Sequence, residues 1–300
     1  MSGQTRVALF TLLFLVTFLL PVSSFADYSQ NDKTKEFIDE MVKKHQFKQA
    51  DLHGIFSQAE KKESIIKAIS RPAEKRLEWS GYRKIFITKD RINKGKVFLE
   101  KYKTDLLRAQ DKYGVPVEII TAIIGVETRY GENKGSYRVI DALATLAFDY
   151  PPRSKFFKSE LEHVLLLSKE QGFEPLALTG SYAGAMGFGQ FIPSSYRAYA
   201  VDFDNDGVVD ILNNPVDAIG SVANYFVKHK WKTGEHVAFQ LNIPEIKHYS
   251  SLIDKKLKPK HSIADVKAAN LSVPDSLLDS QVAKLQALKG ALGDELWLTL

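Results

Sequence analysis

The chain of 300 residues contains no cysteine. That absence excludes disulfide staples, thiolate metal sites and a lipidated cysteine as a membrane anchor. Histidine is scarce, and none of the 7 stands in an HExxH or other zinc-binding spacing. No dense Lys/Arg block carries interleaved aromatics, so a nucleic-acid partner is not expected. Internal repeats and low-complexity tracts are absent, which excludes solenoid and disordered classes. The glycine-rich stretch over 180–189 has no Lys-Ser/Thr after it, so it is not a phosphate loop. Ser181 is not in a GxSxG elbow, because Thr179 stands where the first glycine belongs. What remains is a composition of 44% hydrophobic and 26% charged residues, enough to bury a sizeable core without covalent help.

The N-terminus bears on compartment. Arg6 is the only charged side chain before Asp27, and Val7 to Leu20 is an uncharged apolar run ending at Pro21. The run is shorter than the ~20 residues of a spanning helix. Ser24-Phe25-Ala26 places small residues where signal peptidase cuts. Residues 1–26 therefore read as a secretory signal peptide cleaved after Ala26, with an uncleaved anchor as the alternative. Losing Arg6 lowers the formal charge from +5 to +4, a mild balance compatible with an anionic polymer.

Helical spacing dominates the rest. Residues 27–34 read as a short ragged start. Apolar residues then recur at three- and four-residue steps from Lys35 to Ile69. Lys89 to Tyr113 reads as one amphipathic helix ended by Gly114. Pro116 opens a helix through Ile119, Ile120, Ile123 and Ile124 that is apolar on most sides, hence a core helix. Ser154 to Gln171 is a helix capped by Ser154 and closed by Gly172, and further helices start at Pro193 and Pro215. Val237–Leu241 reads as a strand and Ser276–Leu288 as a helix. The fold class expected is mainly α (α+β).

Glu127 emerges from the greasy end of the core helix, in GVETRYG. Burial there would raise its pKa and keep it protonated near neutral pH, as a general acid requires. The bland alternative is a structural glutamate paired with Arg129. The stretch GSYAGAMGFGQFIP over 180–193 sharpens the choice. Its glycines permit close backbone approach to a ligand, and Gln190 brings an amide into an apolar setting where it needs partners. A tight structural crossover is the alternative there.

In order along the chain, GVETRYG, DALATLAFDYP, GSYAGAMGFGQFIPSSY and NPVDAIGSVANYF resemble the membrane-bound lytic transglycosylase B family, over about Trp79 to Trp297. The resemblance implies a lysozyme-like helical core that cleaves peptidoglycan between N-acetylmuramic acid and N-acetylglucosamine and leaves 1,6-anhydro ends. It places the catalytic acid/base on Glu127. It places sugar contacts on Ser181, Gln190, Tyr225 and Tyr82, and a carboxylate-binding arginine on Arg153. The family has two arginines at that last position, whereas Pro152 precedes Arg153 here. Glu132, Asp141 and Asp149 would be partners for a second carboxylate, but none has a motif role. The expected setting is the periplasm, with peptidoglycan strands as partner, cell-wall enzyme complexes as possible company and a monomeric state. A non-catalytic peptidoglycan-binding scaffold and a lysozyme-type hydrolase are the competing readings.

Asp202, Asp204 and Asp206, with Gly207 and the carbonyl of Val208, match the first part of an EF-hand loop. Position twelve is Asn213 rather than glutamate. The family closes such a calcium loop with the aspartate of PVDAIGS, here Asp217, at a spacing one residue longer. Crowded aspartates repel unless neutralised, so structural Ca2+ is expected; a metal-free surface turn is the alternative. The expected organisation is 1–26 signal peptide, 27–114 N-terminal helical region, 115–235 catalytic core with the metal loop, and 236–300 a C-terminal segment completing the cleft. The family's further tyrosines beyond Trp297 have no counterpart before Leu300.

Overall fold

The computed structural model describes residues 27–70, 77–243, 245–254 and 258–300. The signal-peptide reading of 1–26 lies outside them. The described chain is mainly α-helical, with a few short strands.

Three helices, α1 (Asp32–His45), α2 (Gln49–Ser57) and α3 (Glu63–Ser70), follow the apolar steps seen in the sequence. The stretch before them is not ragged. Tyr28 is buried, and its hydroxyl donates to Asp149 at 2.5 Å, pinning the start of the described chain to the centre of the fold. After α4 (Trp79–Phe86), the helix expected over Lys89–Tyr113 proves to be two, α5 (Lys89–Lys101) and α6 (Lys103–Tyr113). They break at Tyr102, whose φ of −109° and ψ of 23° leave the helical well. Gly114 closes α6 with φ 70°, the left-handed cap that glycine adopts without strain. Pro116 is the cap residue of α7 (Val117–Thr128).

The core centres on α8 (Val139–Asp149), whose residues from Val139 to Phe148 are all buried. A helix so largely apolar is stable only inside, and its buried Asp141 is held by Arg138. It packs along α9 (Ser154–Gln171). Gly172 ends α9 in the left-handed region as expected, but Ser154 does not cap it; its hydroxyl turns back to the carbonyl of Ala147 and ties α9 to α8. Two residues of β1 (Tyr137–Arg138) pair with β2 (Thr179–Gly180), which launches the glycine-rich crossover. Then come α10 (Pro193–Tyr199) and α11 (Pro215–Lys228). One continuous apolar core runs from Tyr28 to Ala223.

A second core, from Leu241 to Leu298, lies under a four-stranded antiparallel sheet. Its strands are β3 (Ala238–Leu241), β4 (His261–Ser262), β5 (Val282–Lys289) and β6 (Asp294–Thr299), in the order β3-β6-β5-β4, with α12 (Ile263–Ala268) beside it. The helix expected over Ser276–Leu288 is therefore wrong: most of that span is β5. Its Ala, Lys, Leu and Gln favour helices, but Ala283 and Leu285 alternate inward, and pairing of Leu285 with Leu298 of β6 decides the matter.

Candidate active site and acidic loop

Glu127 sits in the last turn of α7. Ile120 and Ile124 bury the inner face of that helix completely, and Thr128 locks its end to the crossover. The Thr128 hydroxyl lies 3.1 Å from the carbonyl of Ile124 and 3.0 Å from that of Phe188, and accepts the Gly131 N–H. The crossover folds tightly: Ser181 N–H donates to Ala185 O at 2.8 Å, and Met186 and Phe191 exchange two backbone bonds. At Gly187, φ is 70° and a Cβ would lie 2.3 Å from the carbonyl of Ile211, so glycine is required there.

These elements enclose a cleft of about 340 Å³ lined by Ile123 and Glu127 of α7, Gly189–Ile192 of the crossover, Ser195 of α10, and Val222, Tyr225 and Phe226 of α11. Glu127 is exposed to solvent on the wall of this cleft. Its apolar walls nevertheless crowd the carboxylate, and that burial alone holds its pKa above the ordinary glutamate value. The Arg129 pairing considered from sequence does not form; Arg129 bonds to Asp90 at 2.9 Å. Among the described residues, no side chain forms a hydrogen bond or ion pair with Glu127, and it is the only carboxylate lining the cleft. The three carboxylates considered as its partner are engaged elsewhere. Glu132 pairs with Lys94, Asp141 is gripped by Arg138, and Asp149 accepts from Tyr28.

Gln190 and Tyr225 share the cleft with Glu127. Gln190 holds a left-handed φ of 51°, and its amide nitrogen donates to the carbonyls of Lys134 and Gly187. Tyr225 is stacked on His229 at 3.9 Å and set edge-on to Tyr199. The other three candidate contacts lie outside the cleft lining. The Ser181 hydroxyl accepts from Ala183 and Ala185 N–H within its own turn. Tyr82 packs with Trp79 and Phe86 on α4. Arg153 is exposed over the Phe156 ring at the start of α9. Ser195, Val222 and Phe226 line the cleft but were missed. Phe226 adjoins Tyr225, and Ser195 lies two residues after Pro193, so the helical starts at Pro193 and Pro215 were the available signal.

In the acidic loop, Asp202, Asp204 and Asp217 bring one oxygen each within 4.8 Å of one another. Asp217 is fully buried, and its two oxygens accept the Phe203 and Asp210 N–H groups at 2.7 and 2.8 Å. Burial pushes its pKa up, with Asp204 adding to the rise and the backbone donors opposing it. Among the described residues no lysine or arginine pairs with any of the three carboxylates. Three converging carboxylates without a cationic partner are a donor set that fits a hard cation. Asp206 lies outside this group, and its carboxylate accepts the Val208 N–H.

The helical core, the crossover and a lone cleft carboxylate define a lysozyme-like glycan-cleaving fold. Residues 29–300 match the family model described as the Transglycosylase SLT domain. The chain is 43% identical over 280 residues to the membrane-bound lytic murein transglycosylase B of Escherichia coli K12, covering 90% of this chain and 76% of the relative. Its structure resembles that of the soluble lytic transglycosylase SltB1 from Pseudomonas aeruginosa, with 48% identity, 89% of each chain covered and a TM-score of 0.85. It also resembles the Escherichia coli lytic transglycosylase Slt35 in complex with calcium, with 44% identity, 91% and 86% of the two chains covered and a TM-score of 0.82. The chain belongs to this transglycosylase family, whose members are lytic enzymes acting on the glycan strands of murein.

Proposed function

We propose that the protein cleaves the β-1,4 bond between N-acetylmuramic acid and N-acetylglucosamine with Glu127 as its single acid/base. The observation that carries this reading is the solitary carboxylate of the cleft, whose pKa desolvation against the apolar walls raises. Glu127 donates its proton to the glycosidic oxygen as the bond to the anomeric carbon breaks. The sugar's acetamido oxygen bonds to that carbon in place of a protein carboxylate. The ionised Glu127 then takes the proton of the C6 hydroxyl, and O6 displaces the acetamido oxygen to close the 1,6-anhydro ring. The acid is restored and no water is consumed. A hydrolase of the kind that activates water with a second carboxylate finds none in the cleft among the described residues.

Gln190 and Tyr225 hold the reacting sugar beside Glu127. Ser181 keeps its own hydroxyl proton free to donate to the acetamido group, while Tyr82 and Arg153 meet the strand and its peptide carboxylates farther out. Asp202, Asp204 and Asp217 hold a structural Ca2+, with Asp206 and the Val208 carbonyl completing the set. An ion there would neutralise the loop that Gly187 packs against. The protein works as a monomer in the periplasm, released after Ala26, alone or within cell-wall enzyme complexes. No described helix is long and apolar enough to cross a membrane.

Mass spectrometry of digested peptidoglycan tests the reaction. Anhydro-ended fragments, one water lighter than reducing ends, are expected. Reducing ends would establish a hydrolase, and undigested strands retained by the protein a binding scaffold.

A further inference from the structure

With no side chain among the described residues holding Glu127, its carboxylate is placed by the backbone of α7 and whatever locks that helix end. The lock is unusual. Arg129, Tyr130 and Gly131 all take positive φ, at 52°, 64° and 92°. Two of the three carry side chains, and such residues persist in the left-handed region only where their surroundings over-determine them. The reversal folds Tyr130 back onto the helix it has just left. There its ring enters a notch between α5 and α7 made by two buried glycines. A Cβ on Gly95 would lie 2.4 Å from the Tyr130 hydroxyl oxygen, and a Cβ on Gly125 would lie 2.4 Å from that oxygen and 2.5 Å from the ring carbon bearing it. Phe98 packs against the same ring with centroids 5.4 Å apart. On the opposite side, Phe188 fills the place of a Gly131 Cβ, and the Thr128 hydroxyl meets the Phe188 carbonyl. The turn after Glu127 is thus gripped by α5 on one flank and by the crossover bearing Gln190 on the other.

We infer that Tyr130, wedged between Gly95 and Gly125, is the positioning residue that sets Glu127 over the cleft. It touches no substrate. It acts through α7, because Gly125 lies two residues before the acid on the same last turn. Proton donation needs the acid within hydrogen-bond reach of the bridging oxygen, and a misplacement of about 1 Å costs on the order of 10²-fold in rate. The inference rests on the reading of Glu127 as the acid.

The test exploits the geometry of the notch. In Gly95→Ala the new Cβ collides with the hydroxyl end of Tyr130, while the next atom stands off at 3.1 Å. Turnover of purified peptidoglycan should fall about 10²-fold with KM within about twofold. The alkaline limb of the kcat profile should move to lower pH, because a carboxylate tilted toward water loses its burial. Adding Tyr130→Phe removes the colliding oxygen and should restore most of both quantities, toward the level of Tyr130→Phe alone, a coupling that a double-mutant cycle reads directly. Unaltered kcat and pH limb in Gly95→Ala would overturn the inference. So would a fall in kcat without the pH shift, or one that Tyr130→Phe does not relieve. Should Gly95→Ala not fold, Tyr130→Ala removes the wedge without adding atoms; the same two changes are expected, and normal kcat with a normal limb would overturn the proposal. Glu127→Gln, assayed alongside, separates the two readings. If it keeps normal turnover, the acid assignment fails; if it is inactive while the notch variants are normal, only the wedge fails.

Discussion

Glu127 and Asp217 are both carboxylates at helix ends, and the molecule surrounds them in opposite ways. Glu127 closes α7, where the negative end of the helix dipole faces it and, among the described residues, no side chain bonds to it. Asp217 opens α11, at the positive end, with a backbone N–H on each oxygen. Burial raises the pKa of both. For Glu127 nothing opposes that rise; for Asp217 two donors do, and a cation in the loop would oppose it further. The carboxylate proposed for proton transfer stands without a side-chain hydrogen-bond partner among the described residues, whereas Asp217 is supplied with two backbone donors.

Exchanging the two carboxylates for neutral side chains should therefore break different things. Glu127→Gln should lower turnover by roughly 10³-fold while binding to peptidoglycan sacculi, read by co-sedimentation, persists. Asp217→Ala should instead cost about 2–4 kcal/mol of stability, because two buried N–H groups lose their acceptor. Its melting temperature should drop by roughly 5–15 °C. Adding Ca2+ at about a hundredfold excess over its dissociation constant should raise the wild-type melting temperature by roughly 5 °C or more. The shift should vanish in Asp217→Ala, and product identity should not change; a calcium-independent melting curve would remove the metal from the loop.

The pH dependence separates the two sites more finely. The folded-state pKa of Glu127 lies above its unfolded value, so the folded protein binds the extra proton between the two. The stability from that proton is complete below the ordinary glutamate pKa and is lost as pH rises through the folded one. Glu127→Gln should then leave thermal stability at neutral pH unchanged or slightly higher, the reverse of Asp217→Ala. The wild-type kcat should decline on the alkaline side as Glu127 ionises, with its midpoint above the usual carboxylate range. The smallest effect belongs to Gly172→Ala, at the C-terminal cap of α9 and outside the cleft lining. Its φ of 71° disfavours a side chain although no atom lies within 4 Å of the added carbon. A loss of about 1 kcal/mol by denaturant titration, with activity intact, is expected.

Much of the cleft was legible in the chain. A glutamate ending an isoleucine-rich helix, with a glycine-rich crossover after it, carries its own chemistry, because burial and backbone permissiveness are local consequences of residue type. The assignment of Gln190 and Tyr225 to the same cleft came from resemblance, and both line it. The same resemblance also put Ser181, Tyr82 and Arg153 at the substrate, yet none of them lines the cleft, since their neighbours are set by loop closure and helix packing rather than by spacing. Ser276–Leu288 misled for a related reason: its helix-favouring residues are overruled by cross-strand pairing with β6.

By itself the sequence determined which segments are helical around the cleft, which carboxylate is greasy and which aspartates crowd together, since each follows from periodicity and composition over a few residues. Only the tertiary structure decided that Glu127 stands without a partner, that Asp217 has two, and that Tyr130 slots between Gly95 and Gly125. Those facts depend on which distant backbones come within a few ångströms of each other, and short-range residue preferences do not encode that distance.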